Sequence, residues 1–164
     1  MTRPTNTQFS LAVHLLTLLS GAEPGQLLDS TELAISPATN PAHVRRVLGH
    51  LRTARLVVSH LGTHGGWALA RPPAEINLAE VWHAVNGEEP LWAMHTPDID
   101  CPIGRRVEEN LQALDGRALA LLLDELAGHT IADLKADVDR SMAGVKPPRP
   151  PLHAATTLSR CHSR

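Results

Sequence analysis

Residues 33–74 hold Arg45, Arg46, Arg52, Arg55 and Arg71, with His43, His50, His60 and His64, and not one aspartate or glutamate. The chain as a whole carries a formal net charge of −2 over 164 residues, so cations are concentrated in one part of it. A one-signed surface of this kind attracts polyanions and speeds their association, without defining a fold. Guanidinium is also the group best matched to phosphate and to the O6/N7 edge of guanine, through paired hydrogen bonds. Arg45 and Arg46 fall at helical spacing on a polar face with Ala42, Gly49 and Thr53, and Arg52 borders it. Small side chains beside arginines suit a helix that must approach its partner closely.

Other chemistry finds little purchase. There is no His-Glu-x-x-His, no phosphate-binding loop and no nucleophile elbow, so no catalytic reading emerges. Two cysteines, Cys101 and Cys161, are too few for a disulfide framework and fit a reducing cytoplasm. Cys101 precedes Pro102 at a helix start. It reads either as a small N-cap or as a redox-sensing thiol activated by the helix dipole. His83, His95 and Cys101 are chemically able to bind zinc or copper, but ten histidines make chance grouping common, and no metal is expected. No apolar run of about 18 residues exists to span a membrane, and no signal-peptide pattern opens the chain.

The elements that must position these residues follow from local signals. Residues 9–19 form an apolar-striped helix, stopped around Gly21–Gly25. Asp29 with Glu32 predicts a capping box and a short helix over 30–35, broken at Ser36-Pro37. Asn40-Pro41 is the clearest start signal in the chain, opening a helix to about residue 54 that buries Val44, Val47, Leu48 and Leu51. Two strand-like runs, 56–61 and 67–70, flank a glycine-rich connector and predict a hairpin. Asn77 and Glu80 box another helix, with Leu78, Val81, Trp82 and Val85 inward and Gly87 as its stop. After a loop over 88–100, a long helix runs to about residue 127. Thr130 caps a last short helix with Ile131, Leu134 and Val138 inward.

The expected fold is mostly α. It is a winged helix-turn-helix, with a three-helix core, a two-stranded β wing and a long C-terminal dimerisation helix. The organisation reads as a winged domain over 1–87, a loop with the long and terminal helices over 88–140, and a disordered tail over 141–164 rich in proline and basic residues. Val107, Leu111, Leu114, Ala118 and Leu121, with Leu122 beside it, repeat every three or four residues like a coiled-coil seam, which points to a homodimer rather than to packing within the same domain.

Three stretches together resemble the Rrf2 family of bacterial winged-helix transcription regulators, relatives of the iron–sulfur cluster regulator. They are Thr39-Asn40-Pro41 with the run from Val44 to Gly49, the run from Gly65 to Pro73, and Cys101-Pro102-Ile103-Gly104. The likeness spans residues 7–139. It implies one winged domain per subunit and a crossed pair of long helices. Cluster-binding members carry three cysteines in and around the loop before the long helix, and here Cys101 stands alone. The resemblance is therefore to the branch without a cluster.

In helix-turn-helix proteins the start of the second helix enters the major groove. Thr39, Asn40, Ala42, His43, Arg45 and Arg46 occupy that entry, with Arg52 further along. Thr63 and His64 at the wing tip are expected along the adjacent backbone or minor groove. Asn6, Thr7 and Gln8 resemble the family's N-terminal phosphate contact. The leading expectation is a cytoplasmic, homodimeric repressor on a pseudo-palindromic operator in double-stranded DNA. The alternatives are a winged-helix interaction scaffold that no longer binds DNA, or a regulator with an added thiol- or metal-sensing role.

Overall fold

A computed structural model of the chain describes residues 7–62, 65–96, 98 and 100–143. Helix α1 (Thr7–Ser20) buries Leu11, Ala12, Leu15, Leu16 and Leu19. Asp29 then accepts from the N–H groups of Thr31 and Glu32, while the Glu32 carboxylate receives the Asp29 N–H, starting α2 (Ser30–Ile35). This capping box is the one expected. Helix α3 (Pro41–Thr53) begins at Asn40, whose side-chain oxygen accepts the Ala42 N–H at 2.7 Å. Its apolar face, Val44, Val47, Leu48 and Leu51, is fully buried.

Strands β1 (Val57–His60) and β2 (Gly66–Leu69) pair antiparallel with Val57 opposite Leu69 and His60 opposite Gly66. Leu28 joins this hairpin through two hydrogen bonds with Trp67, of 2.9 and 3.2 Å. Gly66 is needed for that approach, since a β carbon there would lie 2.9 Å from the Leu27 β carbon and the Leu28 carbonyl oxygen. After a single 3₁₀ turn (Pro73–Glu75) comes α4 (Leu78–Asn86), capped by Asn77 with Glu80 and stopped at Gly87. Helix α5 (Pro102–Ala127) and α6 (Ile131–Met142, boxed by Thr130 and Asp133) complete the order.

The core is a single cluster drawn from α1 to α4, β1, Ile76 and Ile131. Residues 76–78 and 129–131 are stitched together by Leu78 N–H to the His129 carbonyl (2.9 Å) and Ile131 N–H to the Ile76 carbonyl (3.0 Å). The C-terminal end of α5 is thereby fixed to the base of the wing and the start of α4.

Two expectations about buried faces need correction. Apolar spacing predicts Val138 inward, but it is 43 % exposed. Helix α1 ends at Ser20, with Gly21 beside Lys135, so α6 outruns its support after Ile131 and Leu134. Val85 is half-buried and packs against the core as expected, while Trp82, also half-buried, is not part of that core packing. Trp82 instead meets Phe9 edge-on at 5.3 Å between ring centroids, a favourable aromatic geometry.

The cap at Asp29 carries a pH dependence. Hydrogen bonds from the backbone of Glu32, then Thr31, hold its carboxyl below the ordinary value of 3.8. A depressed folded-state pKa stabilises the fold above the unfolded-state value, and that stabilisation disappears as pH falls through the folded one. Urea titrations should therefore show Asp29→Asn losing stability relative to the parent at neutral pH, with the gap narrowing below pH 3.8. A gap independent of pH would refute this assignment.

Candidate nucleic-acid interface

Helix α2 and α3 are joined by a five-residue turn, 36–40, in which Thr39 N–H reaches the Ala34 carbonyl and Ala38 N–H the Ile35 carbonyl, both at 3.1 Å. Ala38 sits at φ +50° to close this Schellman motif. His14 of α1 braces the turn through a 2.9 Å hydrogen bond between its Nε2 and the Ser36 hydroxyl. With one face of α3 sealed in the core, the opposite face is left to solvent. Asn40, Ala42, Arg45, Arg46, Arg52 and Thr53 are exposed, while Thr39, His43 and Gly49 are partly so.

The five arginines divide into two groups. Arg52 donates to the Ser59 hydroxyl at 3.2 Å and its guanidinium lies 5.9 Å from the Trp67 ring centroid. It braces the wing against the end of α3, a contact that hydrogen bonding and cation–π attraction both favour. Arg71 pairs with Glu80 at 2.6 Å, tying the end of β2 to the first turn of α4. Arg45, Arg46 and Arg55 enter no ion pair or side-chain hydrogen bond among the described residues. Their charges are available to an external anion.

Thr7 is the first residue of α1 and is exposed, with Gln8 partly so. Asn6, Thr63 and His64 lie outside the described residues, as does most of the expected tail. What sequence reasoning missed is the bracing: His14–Ser36, Arg52–Trp67 and Arg71–Glu80. These pairs are 22, 15 and nine residues apart along the chain, and no local periodicity links them.

The seam on α5 is also divided. Val107, Leu114 and Leu121 are 42 %, 46 % and 73 % exposed. Leu111, Ala118 and Leu122 are half-buried and lie, by helical geometry, nearer the edge marked by Asp115. Asp115 is the buried residue of α5, and its carboxylate accepts the Leu91 N–H at 2.9 Å, holding the 88–100 loop to the helix. Cys101 caps α5, its sulfur accepting the Gly104 N–H at 3.3 Å.

A family model described as Rrf2, an iron-dependent transcriptional regulator, matches residues 5–137. The chain is similar to the HTH-type transcriptional regulator YwnA of Bacillus subtilis, 33 % identical over 130 residues, covering 79 % of this chain and 95 % of that protein. A transcriptional regulator from Lactobacillus plantarum superposes with a TM-score of 0.69 at 25 % identity, over 82 % of this chain and 91 % of the other. IscR from T. potens gives 0.60 at 20 % identity, over 86 % and 92 %, which establishes a shared fold. Among the described residues no three His, Cys, Asp or Glu side chains are grouped to hold a metal ion. His83, His95 and Cys101 are accordingly not brought together.

Proposed function

Because the chain belongs to the Rrf2 family of transcriptional regulators, we propose that two copies joined along α5 form a cytoplasmic repressor that covers a pseudo-palindromic operator. As a DNA-binding transcriptional regulator, the chain must neutralise phosphates for affinity and reach base edges for sequence. One observation carries the assignment of roles: Arg45 and Arg46 stand exposed and unpaired on the face of α3 opposite its buried stripe. We assign the groove entry to Thr39, Asn40, Ala42, His43, Arg45 and Arg46. Either arginine has the reach to grip guanine O6 and N7, and Ala42 suits a thymine methyl. Thr7 and Gln8, at the start of α1, are assigned to the flanking phosphate. Arg52 acts through the wing it braces. A two-fold axis between subunits would set the α3 helices about one turn of DNA apart.

Capture of genomic fragments on the purified protein, followed by sequencing, tests this directly. Recovery of a shared inverted repeat upstream of genes is the expected result. Failure to shift any duplex even in dilute buffer would leave a dimerising scaffold as the better description. The relatives are transcriptional regulators rather than enzymes, and we assign this chain no catalysis.

We further read the regulator as working without an iron–sulfur cluster. Such clusters are held mainly by cysteine thiolates, and Cys101 is the one cysteine among the described residues. Protein purified without oxygen should carry only trace iron; a stoichiometric iron content with visible charge-transfer absorption would refute this.

A further inference from the structure

Helix α3 ends in a second Schellman motif. The Leu56 N–H donates to the Leu51 carbonyl and the Arg55 N–H to the Arg52 carbonyl, each at 2.9 Å. The residue at the turning point is Arg55, with φ +60°. A β carbon is disfavoured there, and glycine is the usual occupant. Among the described non-glycine residues, Ala38 and Arg55 alone hold positive φ.

A non-glycine residue held in this region costs stability, and such outliers cluster at functional sites. Packing is not the reason here, because Arg55 is exposed. Completing the helix dipole is a weak reason, since His50 and Arg52 already stand in the last turn. Within its own chain the Arg55 guanidinium has no ion-pair or hydrogen-bond partner among the described residues. Arg52, one turn earlier, is occupied with Ser59 and Trp67. We propose that Arg55 is a DNA-backbone contact, its guanidinium neutralising a phosphate beside the C-terminal end of α3 while its left-handed backbone aims it outward. The proposal rests on α3 being the DNA-facing helix and adds a contact beyond the groove entry.

Glycine at this position separates the two roles, because it relieves the backbone and removes the charge together. Full-length Arg55→Gly should melt about 2–4 °C higher than the parent and bind a short random-sequence duplex more weakly. With one phosphate fewer neutralised by each subunit, two per dimer, the log–log salt dependence becomes shallower by about 1.8. The ratio of parent to variant affinity should therefore shrink about 12-fold between about 50 and about 200 mM salt. Arg55→Lys, which keeps the charge, should retain the parent slope. Parent and R55G binding with equal affinity and slope would overturn the proposal, as would an R55G that melts lower and binds normally, since Arg55 would then be a helix cap. A parent that shifts no duplex at all would remove the DNA reading of α3 itself, and this contact with it.

Discussion

Replacing Arg45 and Arg46 together by alanine is expected to reduce operator affinity at least about 30-fold, taking roughly 1–3 kcal/mol for each bidentate base contact. The fold should be unaffected, because both side chains are exposed and bond to nothing in the described structure. Salt titrations separate an arginine that reads a base from one that neutralises a phosphate. Removing a base-reading arginine lowers specific affinity far more than random-duplex affinity. Removing a phosphate-neutralising one lowers both and flattens the salt slope by about 0.9 for each subunit on the DNA. Arg52→Ala is the natural control. Its guanidinium faces Ser59 and Trp67, so the substitution should weaken binding through a loosened wing and leave the salt slope near that of the parent. Unchanged operator affinity in the double variant would place the DNA face elsewhere.

Introducing aspartate at both Leu114 and Leu121 is expected to give a monomer in sedimentation experiments, with operator affinity reduced about 10²–10⁴-fold as the second half-site loses its tethered partner. These positions are chosen because they are 46 % and 73 % exposed in the single chain. Aspartate at either leaves the core intact but places charge in an apolar contact between copies, which is costly when unpaired. Leu111 and Leu122, half-buried beside Asp115, would be poor substitutes, since a change there would disturb the subunit itself. A double variant that remains dimeric, or that binds operator as well as the parent, would show that α5 is not the joining surface.

The parts of this fold that could be read from sequence are those specified within four or five residues. Asp29 with Glu32, Asn40 with Pro41, and Asn77 with Glu80 each place an acceptor where unpaired helix N–H groups need one. All three helix starts follow. The buried stripe of α3 is equally legible, because 3.6-residue periodicity and burial coincide there. Long-range ties leave no comparable trace. Nothing near Leu28 announces its pairing with Trp67, nor does any repeat connect Ile76 with Ile131. Val138 continues the apolar spacing of α6, yet periodicity reports which face is apolar, not how far a neighbour extends to cover it.

The same limit governs the candidate DNA face. Charge counting gathers five arginines into one stretch. It cannot say that Arg71 is neutralised by Glu80 or that Arg52 also reaches Ser59 on the wing. The left-handed backbone at Arg55 is hidden for another reason: the residue most commonly found there is glycine, and an arginine gives no such warning.

The stitching of residues 129–131 to 76–78 anchors the long helix at its C-terminal end, just where the wing has ended and α4 begins. Its 26 residues span about 39 Å. The amide of Leu91 on Asp115 secures it again midway, so the Cys101 end lies farthest from the anchored base.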